Sequence, residues 1–225
     1  MPASELTETV LRFLPLVVAL VIAITVHEFS HAFVAQAQGD LTAKQLGRVT
    51  LNPLKHLDPL GTLLIFVAGF GWGRPTPVNE ANLRNGRHSM VLVSLAGIVA
   101  NFATAILVGA FLRAGLLQEL VTGRYIAADV EPAVRVFLRV ILSLNIGLAL
   151  FNFLPVAPLD GFSVLYNLVP KRVAGWLRPY RDAGPGVLML IVFLPRLLPQ
   201  LSSLDVLGIL LGPASRLVER FIVGT

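Results

Sequence analysis

Two histidines four residues apart with a glutamate between them, His27-Glu28-Phe29-Ser30-His31, stand in a stretch that is otherwise almost wholly apolar. Ionisable groups in such surroundings are expensive unless they do something. On a helix, residues i and i+4 lie one above the other on one face, so the two imidazoles can converge on one ion while Glu28 lies beside it. This is the H-E-x-x-H zinc pattern: His27 and His31 as ligands, Glu28 as general base on the water that zinc activates. Catalytic zinc takes three protein ligands and keeps one position open. The chain has no cysteine, so the third ligand must come from the few acids expected at membrane depth, of which Asp160 fits best. Pro155 and Pro158 before it break any helix and let the carboxylate turn inward, and Gly161 after it permits close backbone approach. One Zn²⁺ per chain is expected, with Glu28 passing the proton it receives to the leaving amine.

The elements that must position these groups read as membrane helices. Across 225 residues, 55% are hydrophobic, 14% are charged, and the mean hydropathy is +0.76, which excludes ordinary soluble composition. The expected fold class is an all-α polytopic membrane protein of about four to six membrane segments. It forms a single membrane-embedded domain over 1–225, with a catalytic core at about 10–169 and C-terminal membrane segments at about 184–223. Residues 10–37 form the first span, and Glu5 and Glu8 ahead of it argue against a cleaved signal peptide. Loose alternation over 41–53 predicts a short membrane-associated β-hairpin. Residues 58–72 are apolar, rich in glycine (Gly61, Gly69, Gly71) and short for a span, and so read as re-entrant. Residues 73–79 carry Pro75 and Pro77 and must be extended. Further spans are expected over 89–112 and 134–154, with a loop over 118–132 between them. A basic loop over 171–181 precedes a marginal span over 186–201, broken by Pro195 and Pro199, and an amphipathic last stretch over 204–223.

The net charge of +5 is scattered between apolar runs, which excludes a nucleic-acid interface and makes the charge topological. Lys44, Arg48, Lys55, Arg74, Arg84 and Arg87 come after the first span, so this side is cytoplasmic and the N-terminus is outside. If residues 58–72 enter and return without crossing, the later spans bring Asp160 to the same side as the His pair.

Taken together, His27, Glu28 and His31 with Asn152, Pro155, Pro158, Leu159, Asp160 and Gly161 resemble the site-2 protease family of intramembrane zinc metalloproteases, in its small bacterial and archaeal type without a PDZ domain. Leu51-Asn52-Pro53-Leu54, Gly73 to Asn79, and Ser94-Leu95-Ala96-Gly97 with Asn101 extend the likeness. Ile98 and Phe162 depart from the family's usual proline and glycine. The resemblance implies hydrolysis of peptide bonds within or near transmembrane helices, with His27, His31 and Asp160 on zinc and Glu28 as base. It places the 41–53 hairpin as an edge for an unwound substrate strand. By analogy Asn101 and Asn152 are oxyanion or substrate donors; as residues, each is equally a helix–helix hydrogen-bond partner.

The expected partners are single-span or other transmembrane protein substrates, the lipid bilayer and a separate regulatory protein. The expected location is the plasma membrane of a prokaryote, with the site towards the cytoplasm. The rival readings are a metal-ion transporter and a non-catalytic helix-binding protein built on the same cluster, and Glu28 discriminates against both. His56 reads as a membrane-surface residue capping local backbone, His88 as interfacial, and Asp58 as a helix N-cap rather than a competing ligand.

Overall fold

The computed structural model describes residues 3–68, 71–198 and 205–224. Gly69 and Pro199 lie outside these ranges. Three helices among the described residues are long and apolar enough to cross a membrane, over Phe13–Ala37, Arg87–Arg113 and Glu131–Phe153. They belong to α1 (Ala3–Ala37), α4 (Arg87–Arg113) and α6 (Glu131–Phe153), with the short helices α2 (Thr42–Gln45) and α3 (Pro59–Ala68) between the first two. The loop expected over 118–132 is partly helical, as α5 (Leu116–Thr122). Beyond α6 come α7 (Asp160–Leu168), α8 (Lys171–Leu197) and α9 (Val206–Val223). A count of four to six membrane segments would require α3, α8 or α9 to enter the bilayer as well.

α1, α4 and α6 pack against one another, α7 lies on α4, and α9 closes the far side of α4 and α6. Small residues make the close approach possible, as expected where helices gain nothing by hiding apolar surface from lipid. Ala19, Ala23, Ala32 and Ala35 of α1, Ala105 of α4 and Ala149 of α6 are fully buried. Around them Leu142 and Ile146 of α6 pack with Val218 and Ile222 of α9. Leu159 packs with Leu188 and Val192 of α8.

Residues 41–53 do not form the expected β-hairpin. Thr42–Gln45 is a helical turn, Gly47 takes a left-handed backbone (φ +67°) and Pro53–Lys55 is a 3-10 turn. The alternation that suggested strands is overridden by Asp40. This buried carboxylate accepts from the Thr42 amide and hydroxyl (3.0 and 2.6 Å), the Asn79 amide (2.7 Å) and the Asn82 side chain (3.0 Å), joining the end of α1 to residues 79–82. The antiparallel pairing seen among the described residues is a single bridge, Leu57 with Gly73. Next to it the Arg74 amide donates to the His56 carbonyl at 2.7 Å. Residues 58–72 therefore leave and return to one point. Gly61 permits the return, since a Cβ there would collide with the Trp72 carbonyl. Asp58 caps α3 through the Gly61 amide (2.8 Å), as expected.

The stretch expected as a basic loop over 171–181 is the first part of α8, which continues through Pro179, Pro185 and Pro195 as one helix. His88 is exposed. His56 is not at the surface: it is wholly buried, and its Nε2–H donates to the Thr50 carbonyl at 2.7 Å.

Burial alone would raise the Asp40 pKa, but the hydrogen bonds from Thr42, Asn82 and Asn79 outweigh it and hold the carboxyl below its ordinary value. Its contribution to stability is therefore complete above the unfolded-state pKa and disappears as pH falls through the lower folded value. Asp40→Asn should cost roughly 1–3 kcal/mol near neutral pH. In detergent unfolding experiments the gap from wild type should be constant above about pH 4 and close below it.

Candidate metal centre

His27 and His31 occupy consecutive turns of α1, roughly 15 and 9 Å along the helix axis from its end at Ala37. Both are buried, at 6% and 7% exposure. Their Nε2 atoms are 3.0 Å apart, and Asp160 Oδ2 is 3.2 Å from each. The carboxylate arrives because α6 stops at Phe153, the chain runs through Pro155 and Pro158, and α7 restarts at Asp160 itself. Gly161 makes the turn possible, because a Cβ there would run into the carbonyls of Phe153 and Leu154.

The outer hydrogen bonds fix which ring nitrogens carry protons. His31 Nδ1 lies 2.7 Å from the Val93 carbonyl, which can only accept, so Nδ1 carries the hydrogen. Asn101 donates its amide nitrogen to the Ala23 carbonyl (3.1 Å) and Asn145 Oδ1 (2.8 Å), which assigns its Oδ1 as acceptor for His27 Nδ1–H at 2.7 Å. With both Nδ1 atoms protonated in neutral rings, two Nε2 lone pairs and a carboxylate oxygen face one another at about 3 Å. Asp160 Oδ2 is buried with no hydrogen-bond partner. A proton on one nitrogen relieves part of that repulsion; a cation at the centre relieves all of it. Four ligands at 2.0–2.1 Å in tetrahedral zinc stand about 3.3 Å from one another, close to the spacing of these three atoms, so the donor set fits Zn²⁺. It is the one His/Cys/Asp/Glu group of this kind among the described residues.

Gly97 of α4 faces the pair. A Cβ there would lie 2.5 Å from His27 Cε1 and from His31 Nε2, so only glycine leaves room for both rings. On its other side the cluster opens on a cavity of about 570 Å³, walled by Ile24, Trp72, Leu148, Phe151, Leu188 and Met189. Glu28 and Thr76 are also on that wall, and the Thr76 amide and hydroxyl donate to Glu28 Oε2 at 2.8 and 2.7 Å.

The structure thus brings together all four residues expected to carry the chemistry and separates the two asparagines. Asn152 lies on the cavity wall, with its amide donating to the Leu148 carbonyl at 3.0 Å. Asn101 is wholly buried behind His27 with its amide nitrogen engaged on both sides, so it is a helix–helix partner and His27 orienter with no donor left for an oxyanion. Sequence reasoning gave no role to Asn145, Gly97 or Thr76, and it read Arg48 as a topological charge. A second asparagine deep in an apolar span was the available signal for Asn145. Gly97 and Thr76 lie in stretches that carry the family resemblance, which assigned neither a task, and nothing local marked Arg48.

A polytopic helical membrane protein with a His₂Asp cluster and a glutamate beside it has the composition of a membrane zinc peptidase. Residues 15–190 match Peptidase family M50, and the chain belongs to that family, whose members are site-2-type zinc metalloproteases. It is 43% identical over 180 residues to a protein of Bacillus subtilis (strain 168) named "Putative zinc metalloprotease YwhC", covering 80% of each chain. It is 27% identical to "Putative zinc metalloprotease Rip2" of Mycolicibacterium smegmatis, over 82% of this chain and 69% of that one. It is likewise 27% identical to the protein of the same name from Mycobacterium tuberculosis (strain ATCC 25618 / H37Rv), over 81% and 67%. No solved structure matches. The chain is a membrane metalloprotease, in agreement with the reading of its motifs.

Asn101→Leu, which removes the acceptor on His27, should weaken zinc binding about 10- to 100-fold. Gly97→Ala should displace the imidazoles and release the metal more completely. Elemental analysis after dialysis against a graded series of chelators checks both; zinc retention equal to wild type in both variants would contradict the assigned geometry.

Proposed function

We propose that this protein hydrolyses peptide bonds within or next to transmembrane helices of other membrane proteins, with one zinc held by His27, His31 and Asp160 and with Glu28 as general base. The observation that carries the proposal is the three-ligand cluster opening on a cavity whose wall is apolar apart from Glu28 and a few polar groups. A segment of a transmembrane helix is the substrate whose side chains suit such a wall.

Zinc in this position supplies Lewis-acid activation of a water molecule and of the peptide carbonyl. The chain's own residues do the rest. His27 and His31 would offer their Nε2 lone pairs to the ion because Asn101 Oδ1 and the Val93 carbonyl accept from Nδ1–H on the other side of each ring. Glu28 receives the proton lost by the attacking water and delivers it to the departing amine. The apolar wall restricts bulk water and strengthens each of these electrostatic contacts. Asn152, on the same wall, is placed to meet the substrate backbone.

The topology supports access from the cytoplasm. The ends of α1 and α6 meet at the site, which requires them on one side, with α4 running between. The chain's return at the Leu57–Gly73 bridge supports a re-entrant 58–72. Basic residues concentrate on the same side, consistent with a prokaryotic plasma membrane. We further propose a single functional domain with its catalytic core at about 10–169, with partner membrane proteins as substrates and a separate protein regulating their supply. A metal-ion transporter or a non-catalytic helix binder would use the same ligands but would need no carboxylate beside them.

Purified protein in detergent micelles, mixed with a panel of internally quenched single-span peptides, tests the proposal. Glu28→Gln should retain zinc and lose cleavage by about 10²- to 10⁴-fold, whereas Asp160→Asn should lose zinc and activity together. Equal cleavage by wild type and Glu28→Gln would remove Glu28 as base, and unchanged zinc in Asp160→Asn would remove the third ligand.

A further inference from the structure

The extended 73–79 segment is fastened at three successive residues, Gly73 against α1 and Arg74 and Pro75 against Arg48 and His56. Gly73 approaches so closely that a Cβ there would be 2.7 Å from Ile24 Cγ2 and 3.1 Å from the His56 carbonyl oxygen. The Arg74 amide donates to that same carbonyl at 2.7 Å. On the other side Arg48, a guanidinium only 4% exposed, donates to the carbonyls of Arg74 (2.5 Å) and Pro75 (3.4 Å). Its Nη2 stands 4.0 Å from Glu28 Oε2, the nearest counter-charge. A buried cation that spends its donors on main-chain carbonyls fixes backbone rather than substrate.

What this fixed backbone carries to α1 is Thr76. Its amide and its hydroxyl both reach Glu28 Oε2, at 2.8 and 2.7 Å, and the hydroxyl also lies 3.0 Å from the Glu28 carbonyl oxygen. Two donors therefore converge on one carboxylate oxygen, while Oε1 has no protein partner among the described residues, on a side chain that lines the cavity. A glutamate on a helix rotates about three side-chain bonds. Holding one oxygen from two directions leaves the other with a defined position on the cavity that the metal ligands also line.

We infer that Thr76 is the positioning residue for Glu28, its amide and hydroxyl holding one carboxylate oxygen so that the other is presented to the cavity, with Arg48 as the strut that fixes the segment bearing it. The inference rests on Glu28 being the general base. Displacement of a catalytic group by about 1 Å can cost up to 10²-fold in rate, so the hydroxyl should act on turnover and leave substrate binding and metal retention alone.

Thr76→Val keeps the amide and the shape but removes the hydroxyl, and Thr76→Ser keeps the hydroxyl. With the peptide that wild type cleaves fastest, Thr76→Val should lower kcat about 10- to 30-fold with KM, zinc content and unfolding temperature unchanged, and Thr76→Ser should stay within about twofold of wild type. Combined with Glu28→Gln, Thr76→Val should add no further loss. Isotope-edited infrared spectra give a readout independent of turnover: a carboxylate stretch that disappears in Glu28→Gln should shift in Thr76→Val and not in Thr76→Ser. An unshifted band, a wild-type kcat in Thr76→Val, or a loss that Thr76→Ser shares would each overturn the inference. If Glu28→Gln cleaves normally the base assignment itself fails; if it is inert while Thr76→Val cleaves normally, the positioning role alone fails.

Discussion

Two imidazole nitrogens and a carboxylate oxygen, each presenting a lone pair and each about 3 Å from the others, form an arrangement that water-excluding surroundings do not tolerate without a positive charge at its centre. Much of the fold maintains that repulsion so that a metal can relieve it. Val93 and Asn101 hold the rings from behind, and Asn145 holds Asn101. Gly97 keeps the space in front clear, and the interruption between α6 and α7 delivers Asp160. These contacts join α1 to α4, α4 to α6 and α1 to α7, so the packing of the four helices and the integrity of the centre are one property.

The chemistry of the site was legible from spacing because H-E-x-x-H uses the helix period directly, and because the helix does break at Pro155 and Pro158 before Asp160, as it does not at the prolines inside α8. The three long helices were legible from apolar length, with ends displaced by a few residues. Residues 41–53 were misread because their alternation is real but local, while what folds them is Asp40, whose partners include Asn79 and Asn82, far along the chain. The basic stretch over 171–181 looked like a loop because its charges and Pro179 interrupt an apolar pattern, yet helix continues through it. Arg48 shows the same limit from the opposite direction. Its charge enters the count that sets the expected orientation, but its burial against the carbonyls of Arg74 and Pro75 depends on how two distant segments meet. His56 is buried for the same reason.

Family membership and site geometry bear on different questions. The match over residues 15–190 establishes a zinc metalloprotease of family M50, and it does so across nearly all the elements that build the cavity. The geometry says how such chemistry can proceed among lipids. Polar groups are few in the cavity lining, and the rest of the lining is apolar. Little free energy separates the bilayer from the cavity for apolar side chains.

The bridge between Leu57 and Gly73 has a consequence for how the chain can diverge. Because residues 58–72 begin and end at one pinched base, their length is uncoupled from the register of residues 74–79. Loop-closure entropy rises only by about 0.6 kcal/mol for each doubling of length. An insertion within this excursion, away from its base, would leave Arg74, Thr76 and Glu28 where they are. It is a place at which the chain can lengthen or shorten without rebuilding its centre.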